Sequence, residues 1–334
     1  MRNRQLMRGP IGVLLAITLV AAISGCATSS TSTGNGNGNG KAKTVYFATF
    51  AIGNAFWGVM QKGAQDAANS LGMKMQWTQG QDFSVQDTVN RMNTAIAAHP
   101  DALVVTDVDP NSMEPVMEKA KAAGIAVIDV NAQSAAAKPP YLMYIGSNEY
   151  LSGRTAAQTV LDSTSGSPIK HAACLIQVQG QAALESRCQG FTDVLSAQGI
   201  QVDKVDISGG PTTAQSNFQA YLLAHPDTGA VYTLSAGPEA FDPVLNVLRS
   251  THNNGKIKFI TSDTSQDAFD AIKAGDCLGA IDQQQYLQGY LAVQWAHLYL
   301  DYGMLPGNDV LTGPVVVTKD TVGQVENLVK EGYR

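Results

Sequence analysis

The chain has 334 residues, 22 Lys and Arg against 28 Asp and Glu, and a formal net charge of −6. No Lys/Arg cluster occurs after the first few residues, which argues against a nucleic-acid partner. This length exceeds what one hydrophobic core usually serves, so two lobes are expected.

Residues 1–25 have the three-part layout of a secretory signal: Arg2, Arg4 and Arg8, an apolar run from Ile11 to Ile23, then small residues. The run is shorter than the roughly 20 apolar residues needed to cross a bilayer. Ile23-Ser24-Gly25-Cys26 matches the bacterial lipobox, so cleavage would leave Cys26 first and lipidated. Two or more acyl chains make a stable membrane anchor. Residues 26–43 follow as a Ser, Thr, Gly and Asn tether that includes Gly34-Asn35-Gly36-Asn37-Gly38-Asn39-Gly40 and cannot bury apolar surface.

From Thr44 onward, short apolar runs alternate with helix-period segments. Val45–Phe50, Met73–Thr78, Ala102–Thr106, Ala126–Val130, Tyr141–Ile145, Ala173–Val178, Ala230–Thr233, Lys258–Thr261 and Leu278–Asp282 read as strands. Trp57–Leu71, Thr88–Ala98, Met113–Ala123, Leu151–Asp162, Ser186–Gln198, Gln215–Ala224, Ala240–Ser250 and Ala268–Ala274 read as helices. Such alternation implies α/β architecture with parallel sheets covered on both faces. The run Ile96 to Val104, with His99-Pro100-Asp101, is echoed by Leu222 to Val231, with His225-Pro226-Asp227. In each copy a helix stops before Pro and a strand starts at once, as two similar lobes would require.

Three thiols lie in the body, Cys174, Cys188 and Cys277, in a chain bound for an oxidising compartment. The course of a β–α unit could bring Cys174 level with Cys188 as a disulfide; three buried free thiols are the alternative.

In open α/β sheets, ligands sit beyond the carboxyl ends of the strands. Polar and aromatic residues collect there: Asn54, Phe56 and Trp57, then Asp107 and Asp109, Asn131, Asp263, and Gln283 to Gln285. Phe56 and Trp57 can cover the C–H faces of a sugar, and Asn54, Asn131, Arg187, Asp263 and Gln283 can grip hydroxyls. Each also has a plain structural role open to it: Phe56 and Trp57 as core, Asn54 and Asp263 as helix caps, Arg187 as a solvated helix residue.

These residues, with Asp87, Asn93, His99-Pro100-Asp101, Gly124-Ile125-Ala126-Val127-Ile128, Arg187-Cys188-Gln189-Gly190-Phe191, Thr261-Ser262-Asp263 and Asp282 to Gly289, make the chain resemble periplasmic sugar-binding proteins of the ribose- and galactose-binding type. The resemblance implies two Rossmann-like lobes, residues 44–147 plus 284–311 and residues 148–283 plus 312–334, joined by three hinge crossings near Ser147, Gln283 and Leu311. It implies ligand contacts from Asn54, Phe56, Trp57, Asn131, Arg187, Ser235, Asp263 and Gln283. It also implies an ABC permease and its ATPase as partners, with a monomer as the receptor.

Two departures bear on the ligand. Asn131-Ala132 stands where ribose-type members have Asp-Arg, and Ser235 stands where they have Asn, with Gly237-Pro238 close behind. Each lost charge-assisted hydrogen bond is worth roughly 1.5–3 kcal/mol, so ribose is disfavoured. With Arg187 and Asp263 taken to cancel, the expected ligand is a neutral pentose, hexose or polyol, with a lean toward the polyol.

Other classes fit poorly. The five histidines stand in no metal or nucleophile motif, the pair Asp107 and Asp109 reads as loop caps, and neither catalysis, a metal nor a cofactor is expected. A DNA-binding regulator would need its N-terminus for a helix-turn-helix. A sensor handing its signal to a membrane receptor remains the alternative to transport. The anchor suggests the outer face of a Gram-positive or actinobacterial plasma membrane.

Overall fold

The computed structural model describes residues 41–50, 55–80, 84–134, 136, 138–164 and 169–334. Cys26, most of the tether and Asn54 lie outside the described residues.

The first half alternates β1 (Thr44–Ala48), α1 (Ala55–Leu71), β2 (Lys74–Thr78), α2 (Val85–Ala97), β3 (Ala102–Val105), α3 (Pro110–Ala122), β4 (Ala126–Val130) and β5 (Tyr144–Ser147). The second half runs α4 (Glu149–Asp162), β6 (His171–Ile176), α5 (Ala182–Ser196), β7 (Gln201–Asp206), α6 (Pro211–Ala224), β8 (Thr228–Thr233), α7 (Phe241–Ser250), β9 (Lys258–Ser262), α8 (Gln266–Ala274) and β10 (Gly279–Asp282). The chain then returns through α9 (Gln285–Tyr302), β11 (Val310–Gly313), β12 (Val315–Thr318) and α10 (Val322–Lys330).

Two six-stranded sheets result, in the orders β11-β5-β4-β3-β1-β2 and β12-β10-β9-β8-β6-β7. Both follow one plan, with the first strand of each half flanked by the second and third. Pairing is parallel except between β10 and β12, which run antiparallel. Alternate residues of each strand feed opposite cores: Val45 and Phe47 pack on one face, Tyr46 and Ala48 on the other. In the second sheet Leu175 and Phe259 face one core, Cys174 and Ile260 the other. Burial on both faces is why these strands read as continuous apolar runs.

Each half is also locked by a helix pair that meets at glycines. A Cβ on Gly190 of α5 would stand 2.1 Å from the Tyr150 carbonyl oxygen of α4, and one on Gly153 would stand 1.9 Å from that of Arg187. In the first half, Gly63 of α1 and Gly289 of α9 make the same backbone-close crossing, at 2.1 Å from Tyr286 O and 2.0 Å from Met60 O. Cys174 and Cys188 are joined by a disulfide with Cα atoms 5.8 Å apart, tying β6 to α5. Cys277 is buried and free.

The chain passes from one sheet to the other three times: between β5 and α4, between β10 and α9, and between β11 and β12. The third passage bonds to both others. Asn148 N–H donates to Gly313 O at 3.4 Å. Gln284 Nε2 donates to Thr312 O at 2.6 Å, and Thr312 Oγ1 donates to Gln283 O at 2.7 Å. Gly313 is wedged where all three meet, since a Cβ there would lie about 3 Å from Asp282 O, Gln283 Cα and Ser147 Oγ alike.

Candidate functional site

A cleft of about 240 Å³ opens beyond the carboxyl ends of the strands of both sheets. Phe56 and Trp57 enter it from the first turn of α1, and their rings meet edge to face with centroids 5.1 Å apart. Trp57 is also part of the first-half core, so the core and cleft readings hold together. Asn131 follows β4, Ser235 follows β8, Asp263 follows β9 and Gln283 follows β10; all four line the same cleft, as does Arg187 from α5. Asn54, outside the described residues, immediately precedes α1.

Asn131, Gln283 and Asp263 form one chain of hydrogen bonds. Asn131 Nδ2 donates to Gln283 Oε1 at 3.2 Å, and Gln283 Nε2 donates to Asp263 Oδ1 at 2.5 Å. Asn131 and Asp263 both hold positive φ, 71° and 66°, a conformation that Asn and Asp tolerate better than most residues. The helix cap after Asp263 is Ser265, whose side chain accepts from Ala268 N–H at 3.1 Å. Asp263 is thereby left to face the cleft. Burial pushes its carboxyl up to about 6, against the pull of Arg187 and the Gln283 hydrogen bond.

Arg187 is not a solvated helix residue: it is buried. Its Nε donates to Glu149 Oε2, and its Nη1 donates to Leu234 O at 2.8 Å. Burial works against its charge, but Glu149 and Asp263 outweigh burial and keep the guanidinium protonated. This changes the charge balance expected from sequence. The partner of Arg187 is Glu149 at the start of α4, while Asp263 and Glu239 face the same cleft. Ser235 Oγ donates to Glu239 Oε1 at 2.6 Å and accepts from Gly237 N–H at 3.0 Å.

Sequence reasoning passed over Glu149, Gln177, Gln181 and Glu239. Gln177 stands directly after β6 and lines the cleft, so the strand-end rule would have found it. Glu149 sits in the first turn of a helix, where a carboxylate is ordinary, and nothing local marks its pairing with Arg187. Asp109 does cap a helix, accepting from Ser112 N–H at 3.3 Å. Asp107 does not: it is fully buried and neither carboxylate oxygen has a hydrogen-bond partner.

Two doubly wound sheets, three crossings and a polar and aromatic cleft at the strand ends define a two-lobed ligand-binding protein of type I architecture. The family described as periplasmic binding protein domain matches residues 45–304, and the chain belongs to it. A xylose/arabinose-binding protein of Sulfolobus acidocaldarius is 30 % identical over 294 residues, spanning 83 % of this chain and 71 % of its own length. The ribose import binding protein of Bacillus subtilis is 25 % identical, spanning 87 % of this chain and 92 % of its own. The crystal structure of a carbohydrate transporter from Acidothermus cellulolyticus, solved with myo-inositol, superposes with a TM-score of 0.78 at 30 % identity over 88 % of this chain and all of that one. These relatives are binding and transport proteins, and the chain is a binding protein, not an enzyme.

Proposed function

We propose that the protein is the solute receptor of an ABC importer and takes up a small neutral polyhydroxy compound, with a cyclic polyol such as myo-inositol ahead of ribose. The observation that carries this is the state of Arg187. Among the described residues lining the cleft it is the sole cation, and Glu149 already neutralises it. An anionic sugar acid or sugar phosphate would meet Asp263 and Glu239 with no free positive charge to offset them.

Phe56 and Trp57 supply flat apolar faces for a ring. Asn131, Gln283, Asp263 and Ser235 offer the donors and acceptors that vicinal hydroxyls need, and Asn54 completes this set in our reading. Arg187 contributes its remaining N–H groups. The absence of the Asp-Arg pair after β4 weakens the grip on an aldopentose, and the similarity to a carbohydrate transporter solved with myo-inositol favours the polyol.

On binding, residues 44–147 with 284–311 close against residues 148–283 with 312–334, because only a closed pair of lobes lets both contact one ligand. A lipid on Cys26 tethers the monomeric receptor beside its permease.

Isothermal titration of the full chain with myo-inositol, pentitols, ribose, xylose, arabinose, glucose and galactose tests the proposal. The expected result is saturable micromolar binding of a polyol with weaker binding of ribose. Failure of every compound to bind better than millimolar would overturn it.

A further inference from the structure

At the end of the second sheet away from the cleft, three side chains converge. His171 opens β6, Asp203 lies in β7, and His225 ends α6. Their potential ligand atoms all lie within 4.8 Å of one another. We propose that His171, Asp203 and His225 bind a zinc ion, a site independent of the sugar-type ligand.

The cluster contains a His171–Asp203 ion pair, and its geometry also accommodates an ion. His171 is buried, and its Nε2 lies 2.7 Å from Asp203 Oδ2, close enough for an ion pair but not aligned as a regular hydrogen bond. On the other side of the ring, Nδ1 stands 3.4 Å from Asp227 Oδ1. With a metal on Nε2, the ring proton would sit on Nδ1 and face Asp227, the arrangement that supports histidine ligands in many zinc sites. Asp203 Oδ2 is held in turn by Tyr221, whose hydroxyl donates at 3.1 Å. Tyr221 also stacks on His225 with centroids 4.6 Å apart, fixing that ring over the site.

Zinc takes N and O ligands at about 2.0–2.2 Å, which sets tetrahedral ligand atoms about 3.3–3.5 Å apart. The separations to Asp203 bracket that value, 2.7 Å from His171 Nε2 and 4.0 Å from His225 Nδ1, and all ligand atoms lie within 4.8 Å of one another. Asp203 and His225 are only partly buried, so modest side-chain rotation brings them to distance. Three protein ligands leave a fourth position for water.

Among the described residues only the second half carries the cluster, and the internal repeat shows how the halves differ. In the first half, Asp101 of His99-Pro100-Asp101 accepts a backbone bond from Thr44 N–H at 2.7 Å, at the start of β1. In the second half the position that opens the first strand is His171, and Asp227 of His225-Pro226-Asp227 faces its ring instead. The same helix stop serves chain geometry in one half and surrounds a histidine pair in the other.

The test uses tag-free, metal-free full-length protein titrated with zinc chloride by calorimetry and by thermal melting, with cobalt(II) as a spectroscopic stand-in. We expect one zinc per chain and a melting temperature raised by about 5 °C at a hundredfold excess over Kd. Cobalt should give a visible ligand-field band. His225→Ala, at a half-exposed position, should weaken zinc binding at least tenfold, with the far-UV spectrum and the melt in EDTA unchanged. Asp227→Asn should weaken it by about 10-fold or more through His171. Absence of saturable zinc binding, or undiminished binding by His225→Ala, would overturn the proposal.

Discussion

Asp107 is buried at the carboxyl end of β3, and neither of its carboxylate oxygens is bonded. Burial, helped by Glu114 and Asp109, pushes its carboxyl up to about 7, well above the usual carboxylate range. The folded protein therefore holds a proton there that the unfolded chain releases above about pH 4, and it binds more protons across that window. Stability from this group is present below the unfolded value and is lost as pH rises through 7. Asp129 beside it is also raised by burial and by Asp107, so it adds to the same slope. Asp107→Asn, neutral throughout, should stabilise the protein at pH 8 by about 1–3 kcal/mol, because it cannot ionise at a buried site where a charge costs more than an equally unpaired amide, and much less at pH 5. Melting curves at the two pH values check this, and an equal difference at both would contradict it. The sequence placed Asp107 beside Asp109 as a second loop cap. Both follow a strand and precede a helix, and no local pattern tells the exposed cap from the buried acid. Phe56, Trp57, Asn131 and Gln283 were legible because strand ends in this architecture point to one place. The Glu149–Arg187 pair was not, because its members are 38 residues apart in the chain.

Most elements of the parallel sheets were legible in the apolar runs between Val45 and Asp282, with boundaries displaced by a few residues. Five elements escaped, β7, α9, β11, β12 and α10, and the first two show how mixed signals hide an element. β7 is an edge strand with Asp203 and Lys204 among its exposed or half-exposed residues, so it lacks the continuous apolar run of its neighbours. α9 carries apolar and aromatic residues on nearly every face, with Gly289, Ala292, Val293 and Ala296 buried and tyrosines around them, so it has no one-sided stripe. Its placement depends on Gly289 meeting α1, a contact invisible to periodicity. The corresponding glycine of the other crossing bears on function, because Gly190 lies one turn from Arg187. Gly190→Ala should cost about 1–3 kcal/mol of stability by overpacking and should weaken ligand binding by displacing the Arg187–Glu149 pair. Gly289→Ala should cost similar stability with a smaller effect on affinity. Parallel melting and titration of the two variants separate these effects.

At the scale of the whole molecule, the reading of residues 1–43 and the reading of the body support each other. On the proposed function, a lipid on Cys26 and a Gly-Asn tether would keep the ligand-binding body near a membrane. Cys26→Ala should release the protein into the medium with ligand affinity unchanged, as cell fractionation and calorimetry would report; retention on the cell would count against the anchor. The three passages between the sheets add a mechanical consequence. Because the β11–β12 passage is bonded to both others, with Gly313 wedged at their junction, they form a single leaf rather than three independent strings. Such a leaf flexes more readily about one axis than it shears or twists. On the proposed closure, the relative motion of the two halves is thereby reduced toward a single angle, and a docking partner would need to read only that angle to learn whether the cleft is occupied.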